Sequence, residues 1–215
     1  MKRMQIVPML ALIGWACGGD TNASNAQAAA APVADAEVDA IKQATERFTD
    51  VNVALAEGYI EDPQKMCVDA TIYGAPAETG AMGVHYFRPD LLGIAMPPGG
   101  GALPEGVRVS GTDATLDYSR PEVLVYEPKA DGGRELVAIE YLVFKAAWDA
   151  AGNSAPPSFR GMAFLPMADD PATATDEAHA FEPHYELHWW LYRDNPSGEF
   201  AEFNPNVRCP RPAAS

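Results

Sequence analysis

Glu122-Val123-Leu124-Val125-Tyr126-Glu127 and Arg134-Glu135-Leu136-Val137-Ala138-Ile139-Glu140-Tyr141-Leu142-Val143-Phe144 read as two β-strands joined through Ala130-Asp131-Gly132-Gly133. Both runs are rich in branched and aromatic residues, and the connection holds residues that accept a tight reversal, so the pair is a hairpin. Working outward, 82–87 is a strand after the Gly80 turn, 159–165 is another short strand, and 184–192 is the last strong one. Between the first two lies 88–121, rich in Pro and Gly and without periodicity, which reads as a long irregular excursion. On the N-terminal side Val38, Ile41, Thr45, Phe48, Val51 and Leu55 recur at spacings of three and four. That stripe predicts one amphipathic helix over 35–57, capped by Asp35 at its start and Gly58 at its end. One helix followed by strands, with no βαβ alternation, predicts an α+β domain, an N-terminal amphipathic helix packed on an antiparallel β-sheet. We expect one globular domain over 35–215.

Residues 1–16 have the shape of a signal peptide. Lys2 and Arg3 precede an apolar run of about ten residues, too short for the roughly 20 that a membrane-spanning helix needs. The run ends in Ile13-Gly14-Trp15-Ala16-Cys17, which resembles the lipobox of bacterial lipoproteins. The resemblance covers only these first residues. It implies lipidation of Cys17, a membrane anchor, and a periplasmic or surface location in the cell envelope. Residues 17–34, rich in Gly, Ala, Asn, Thr and Ser, suit a flexible tether. The alternative is a secreted protein cut at Ala26-Gln27-Ala28.

Losing Lys2 and Arg3 with the signal peptide takes the formal charge from −15 to −17. So acidic a chain repels polyanions of its own sign, which excludes nucleic acid as a partner. With Cys17 lipidated, Cys67 and Cys209 remain. An oxidising compartment lets them form a disulfide; otherwise they are separate buried thiols. No CxxC is present, nor GxSxG, HExxH, a P-loop, or a GxGxxG after a strand, so the recognisable enzyme classes drop away.

Chemistry concentrates in Pro183-His184-Tyr185-Glu186-Leu187-His188-Trp189-Trp190. On a strand, His184, Glu186 and His188 share one face, while Tyr185, Leu187, Trp189 and Leu191 share the other. Imidazoles and a carboxylate on one face can coordinate copper, zinc or iron. His85, in the strand at 82–87, is a candidate third imidazole, and Met82 a soft neighbour that would favour copper. Glu140 is the one charged residue on a face shared with Leu136, Ala138, Leu142 and Phe144, which makes it a fourth ligand or a base. The competing readings are a solvated His/Glu face and a salt bridge from Glu140 to Arg160 or Arg193. The leading expectation is a lipid-anchored domain binding a transition metal through His85, His184, His188 and Glu186 or Glu140. The rival is a non-catalytic module that meets an envelope protein or cell-wall partner through 88–121 and surface aromatics. A metal-dependent hydrolase or oxidase is a third possibility.

Overall fold

The expected N-terminal helix forms, but in two pieces. The structure, a computed structural model, describes residues 31–98, 103 and 107–210. The expected signal peptide, Cys17 and most of the expected tether fall outside these residues. Helix α1 (Ala31–Thr45) runs into a 3-10 turn (Glu46–Thr49), and α2 (Val51–Ala56) follows. Asp35 therefore lies inside α1 and is not its cap. Asp50 caps the second piece, α2: it leaves helical backbone at φ −91°, ψ 107° and accepts a hydrogen bond from the Asn52 amide at 2.9 Å. A 3-10 turn advances faster per residue than an α-helix, and Asp50 breaks the run, so the apolar stripe loses phase. Ile41, Thr45 and Phe48 stay buried, whereas Leu55 turns outward and Ala54 takes its place in the core. Thr45 Oγ1 bonds back to the Ile41 carbonyl at 2.7 Å and meets the Tyr192 hydroxyl at 2.7 Å, tying the helix to the sheet.

Among the described residues nine strands follow: β1 (Ile60–Glu61), β2 (Cys67–Asp69), β3 (Ala81–Phe87), β4 (Val123–Pro128), β5 (Arg134–Phe144), β6 (Ser158–Phe159), β7 (Met162–Ala163), β8 (Leu165–Met167) and β9 (His184–Trp189). Seven of them form one antiparallel sheet in the order β1-β3-β4-β5-β9-β8, with β2 also pairing along β3. The architecture is α+β. The β4–β5 hairpin is where the sequence places it. The strand expected over 159–165 is instead a tiny β6–β7 hairpin that turns at Arg160 and Gly161, both at positive φ, with β8 then pairing against β9.

Both faces of this sheet are covered. On one, the N-terminal helices pack over Tyr126, Ile139, Tyr141, Phe164, Leu187 and Trp189. On the other, Phe87, Val125, Leu142, Phe144 and Trp190 are covered by pieces of 88–121, by Phe181 and by Val207. The excursion 88–121 includes α3 (Pro89–Leu92) and turns Leu92, Ile94 and Val109 inward, while Val107 is exposed. Gly111 is required at its close approach, since a Cβ there would meet the Leu92 carbonyl oxygen and the Phe144 ring. Helix α4 (Lys145–Ala150) leaves the end of β5. Among the described residues no helix is long and apolar enough to cross a membrane.

Two bulges adjust which face residues occupy. Val125 pairs with Ala138 but Tyr126 with Leu136, so Val137 is an extra residue in β5. Leu136 consequently joins the helix-side core, not the face of Glu140 as alternation alone implies. In β3, Val68 pairs with Gly83 and Asp69 with Ala81, leaving Met82 unpaired with β2. Gly83 sits at φ +122° there, with its Cα so close to the Tyr126 carbonyl that no side chain would fit.

Cys67 and Cys209 form a disulfide across 142 residues of sequence, fastening the C-terminal segment to β2. In the chain-entropy treatment a loop of that length contributes about 5 kcal/mol. Replacing both cysteines by alanine should lower the melting temperature by about 10–20 °C for a domain of this size. Thermal denaturation of the double variant beside the wild type checks this; an unchanged melting temperature would show that the bridge constrains nothing.

Candidate metal centre

The centre begins with strand alternation. In β9, His184, Glu186 and His188 point to the face opposite Tyr185, Leu187 and Trp189. Antiparallel register then sets a partner beside each: Glu140 opposite His188, Leu142 opposite Glu186, and Phe144 opposite His184. Directly opposed residues stand about 5 Å apart at Cβ, so the Glu140 carboxyl and the His188 ring are neighbours by construction. His85 comes from β3, beyond β4. At about 4.8 Å per strand, β3 and β9 stand some 14 Å apart. The two rings meet across β4 and β5, beside Val123 and Glu140, which are paired there and line the same cavity.

They meet closely. His85 Nε2 and His188 Nε2 are 3.2 Å apart, and Glu140 Oε2 lies 3.6 Å from the first and 3.5 Å from the second. These three donors form a group that could hold a metal ion. His184 and Glu186, also expected as ligands, sit beside the triangle and pair with each other. His184 Nδ1 faces the Glu182 carbonyl at 2.9 Å and Nε2 faces Glu186 Oε2 at 3.2 Å. All five expected residues line one cavity of about 30 Å³, together with Asp62, Met82, His179 and an apolar wall of Phe87, Val123, Leu142 and Phe181.

The face is not solvated. Glu140 is 2% exposed, His184 2%, Glu186 4% and His188 4%, so each polar group needs a partner inside the protein. The alternative pairing of Glu140 with arginine is not made. Arg193 instead bridges Glu127 and Glu135, and Arg160 lies over the Trp189 ring. Among the described residues no Lys or Arg lines the cavity, and Glu140 Oε2 is buried with no hydrogen-bond partner. Both of its approaches to imidazole nitrogen exceed hydrogen-bond length.

Ionisation follows from this enclosure. Burial pushes the Glu140 carboxyl well above the ordinary range, and the neighbouring Glu186 pushes it further. Burial lowers His85 well below the usual imidazole range, with His188 and His179 adding to it; burial also lowers His188 and His179. Burial alone would raise Glu186, but the hydrogen bond from His184 and the charges of His184 and His188 outweigh it and hold the carboxyl low. The Glu186 carboxylate is stabilised by His184 and by a hydrogen bond donated from the protonated Glu140 carboxyl. Asp62 is raised to about 6 by burial.

One contributor escapes a reading of the sequence. His179 lies in an irregular loop, where no period marks it, yet its ring stacks on His85 and its Nε2 meets the Tyr73 hydroxyl at 3.0 Å. All four histidines of the chain thus line the same cavity. The scarcity of histidine was the signal available for it. Met82 reaches the cavity through the bulge in β3. Compared with known protein families, characterised proteins and solved structures, the chain matches none.

Because the folded carboxyl of Glu140 is raised above its ordinary value of 4.5, its stabilising contribution is complete below that value and is lost as pH rises. Glu140→Gln removes the loss. The metal-free variant should therefore melt above the metal-free wild type at pH 8, with the two converging toward pH 4.5. Melting curves across that interval check it, and a variant that melts lower at pH 8 would refute the assignment.

Proposed function

We propose that this chain is an exported, lipid-anchored envelope domain that binds one divalent transition metal ion through His85, His188 and Glu140. The observation carrying this reading is the convergence of all four histidines and three buried carboxyls, Asp62, Glu140 and Glu186, on one small cavity that no described Lys or Arg enters. A buried carboxyl with an unpartnered oxygen and no counter-ion is destabilising by itself, and a cation between it and two imidazoles removes the deficit. Two of the carboxyls, Glu140 and Glu186, together match a 2+ charge.

Donor spacing favours zinc. With bonds of about 2.0–2.1 Å, a tetrahedral ion separates its ligand atoms by about 3.3 Å. The triangle here has edges of 3.2, 3.5 and 3.6 Å, close to one face of such a tetrahedron. Copper and iron take the same donor types, and Met82 in the wall is the feature that would draw copper. His184 and Glu186 then act from outside the coordination shell, holding the carboxyl pair and the site's shape. The lipid anchor rests on the lipobox-like segment ending at Cys17, and the Cys67–Cys209 disulfide accords with an oxidising compartment.

Elemental analysis by mass spectrometry of the exported protein, purified without chelator, tests the reading. About one equivalent of zinc is expected, lost in both His188→Ala and Glu140→Ala. Adding zinc to metal-free protein at about 100 times its Kd should stabilise it by about 2.7 kcal/mol. No bound metal after reconstitution, or full occupancy in both variants, would sink the proposal.

A further inference from the structure

Three donors from the sheet define one face of a tetrahedron, which leaves a fourth corner. With bonds of roughly 2.05 Å that corner stands about 3.3 Å from each of the three. Among the described residues no further His, Cys, Asp or Glu joins the group within 4.8 Å. The strap 176–182, which brings His179 and Phe181 to the cavity wall, does not close the gap. Asp176 accepts hydrogen bonds from the amides of Ala178 and Ala180, and Arg108 reaches both Asp176 and the Phe181 carbonyl. Val109 donates to the Ala180 carbonyl and accepts from the Glu182 amide, each at 2.7 Å. So firm a frame holds His179 at φ 52° and Ala180 at φ 65°, and keeps the His179 ring in the wall with Nε2 against the Tyr73 hydroxyl.

Space and hydrogen bonding decide what the corner takes. The cavity measures about 30 Å³, and roughly 10–15 Å³ admits a single water molecule. An ion and one body of water's size therefore fill it. The wall is apolar along Phe87, Val123, Leu142 and Phe181, and Glu186 lines it among the polar groups. That carboxylate accepts from His184 Nε2 at 3.2 Å and, while no ion is bound, from the Glu140 carboxyl. An ion that takes the Glu140 oxygen displaces that proton, so Glu186 loses this donor inside an enclosed cavity, where an unmet acceptor is costly. A water bound to the ion has hydrogens to donate and makes good the loss.

We propose that the fourth position is taken by one exchangeable water molecule, bound to the ion through its oxygen and donating a hydrogen bond to Glu186. This rests on the metal-site reading above. Three protein donors and a water are the coordination of a reactive zinc, whereas four protein donors make a structural one. Glu186 is then a positioning residue. Its carboxylate accepts hydrogen bonds and has none to give, so it favours an incoming ligand that donates and disfavours a bare anion. The position suits compact, neutral hydrogen-bond donors of water's size. Peptides, sugars and other extended substrates do not reach the ion through so small a space.

The full exported chain, loaded with cobalt in place of zinc, tests this. In isotopically labelled water its electron-spin resonance should show coupling to the labelled oxygen. No such coupling, or a sulfur-to-cobalt charge-transfer band marking Met82 as the donor, would overturn the open position. Fluoride, an anion of water's size, probes Glu186 through broadening of its NMR line by the cobalt. Glu186→Gln supplies an amide that donates, so it should bind fluoride about tenfold more tightly than the wild type. Equal affinity in the two would overturn the role of Glu186. In the wild type, millimolar fluoride should leave the labelled-water signal in place; its displacement would overturn that role as well, so the test stands even if Glu186→Gln fails to fold. Absence of cobalt and zinc binding by the wild type would instead overturn the metal site itself.

Discussion

The register between β5 and β9 is the constraint on which the rest depends. It sets Glu140 against His188, and a slip of one residue would send every side chain of β9 to the opposite face. The register is held from the other side of the sheet. There Tyr141 packs edge against face with Tyr118 and Phe159 packs tilted against Trp189, while the Tyr141 hydroxyl donates to the Tyr118 carbonyl and the Tyr126 hydroxyl to that of Phe48. Aromatic groups whose polar ends must also be satisfied have few acceptable positions, so they specify alignment as well as burial. The helix-side core thereby determines the geometry of the histidine side.

That second face is unusual for an antiparallel sheet. It is neither solvated nor purely apolar. Phe87, Leu142, Phe144, Phe181 and Trp190 surround the imidazoles and carboxyls and exclude water, which strengthens every charge interaction inside and makes every unpaired one more costly. Coverage comes from irregular segments. The excursion after β3, the strap before β9 and the C-terminal segment fastened by Cys209 all lie on this side.

Local departures from regular structure also serve the site. The bulge at Val137 moves Leu136 out of the Glu140 face, and the one at Met82 brings a thioether into the cavity wall. The left-handed pair at His179 and Ala180 aims an imidazole from a loop. Each distorts one residue to redirect one side chain, and two of them bring a side chain, Met82 or His179, into the wall of the same 30 Å³ space.

Sequence by itself determined much of this. Period-two alternation over 184–189 and the hairpin over 122–144 expose these strands, the pairing within the hairpin and the shared face of His184, Glu186 and His188, because β geometry repeats every two residues. Glu140 was conspicuous as the sole charge in the apolar run 136–144, and the two remaining cysteines were candidates to pair. Tertiary structure decided the rest. Whether the histidine face meets water depends on which loops fold over it, and 88–121 and 176–182 carry no periodic signal. Which histidine sits beside Glu140 depends on sheet order and on how the rings meet across β4 and β5. The break at Asp50, the bulges and the place of His179 follow from single backbone conformations that packing selects, and a pattern read along one dimension contains no term for packing.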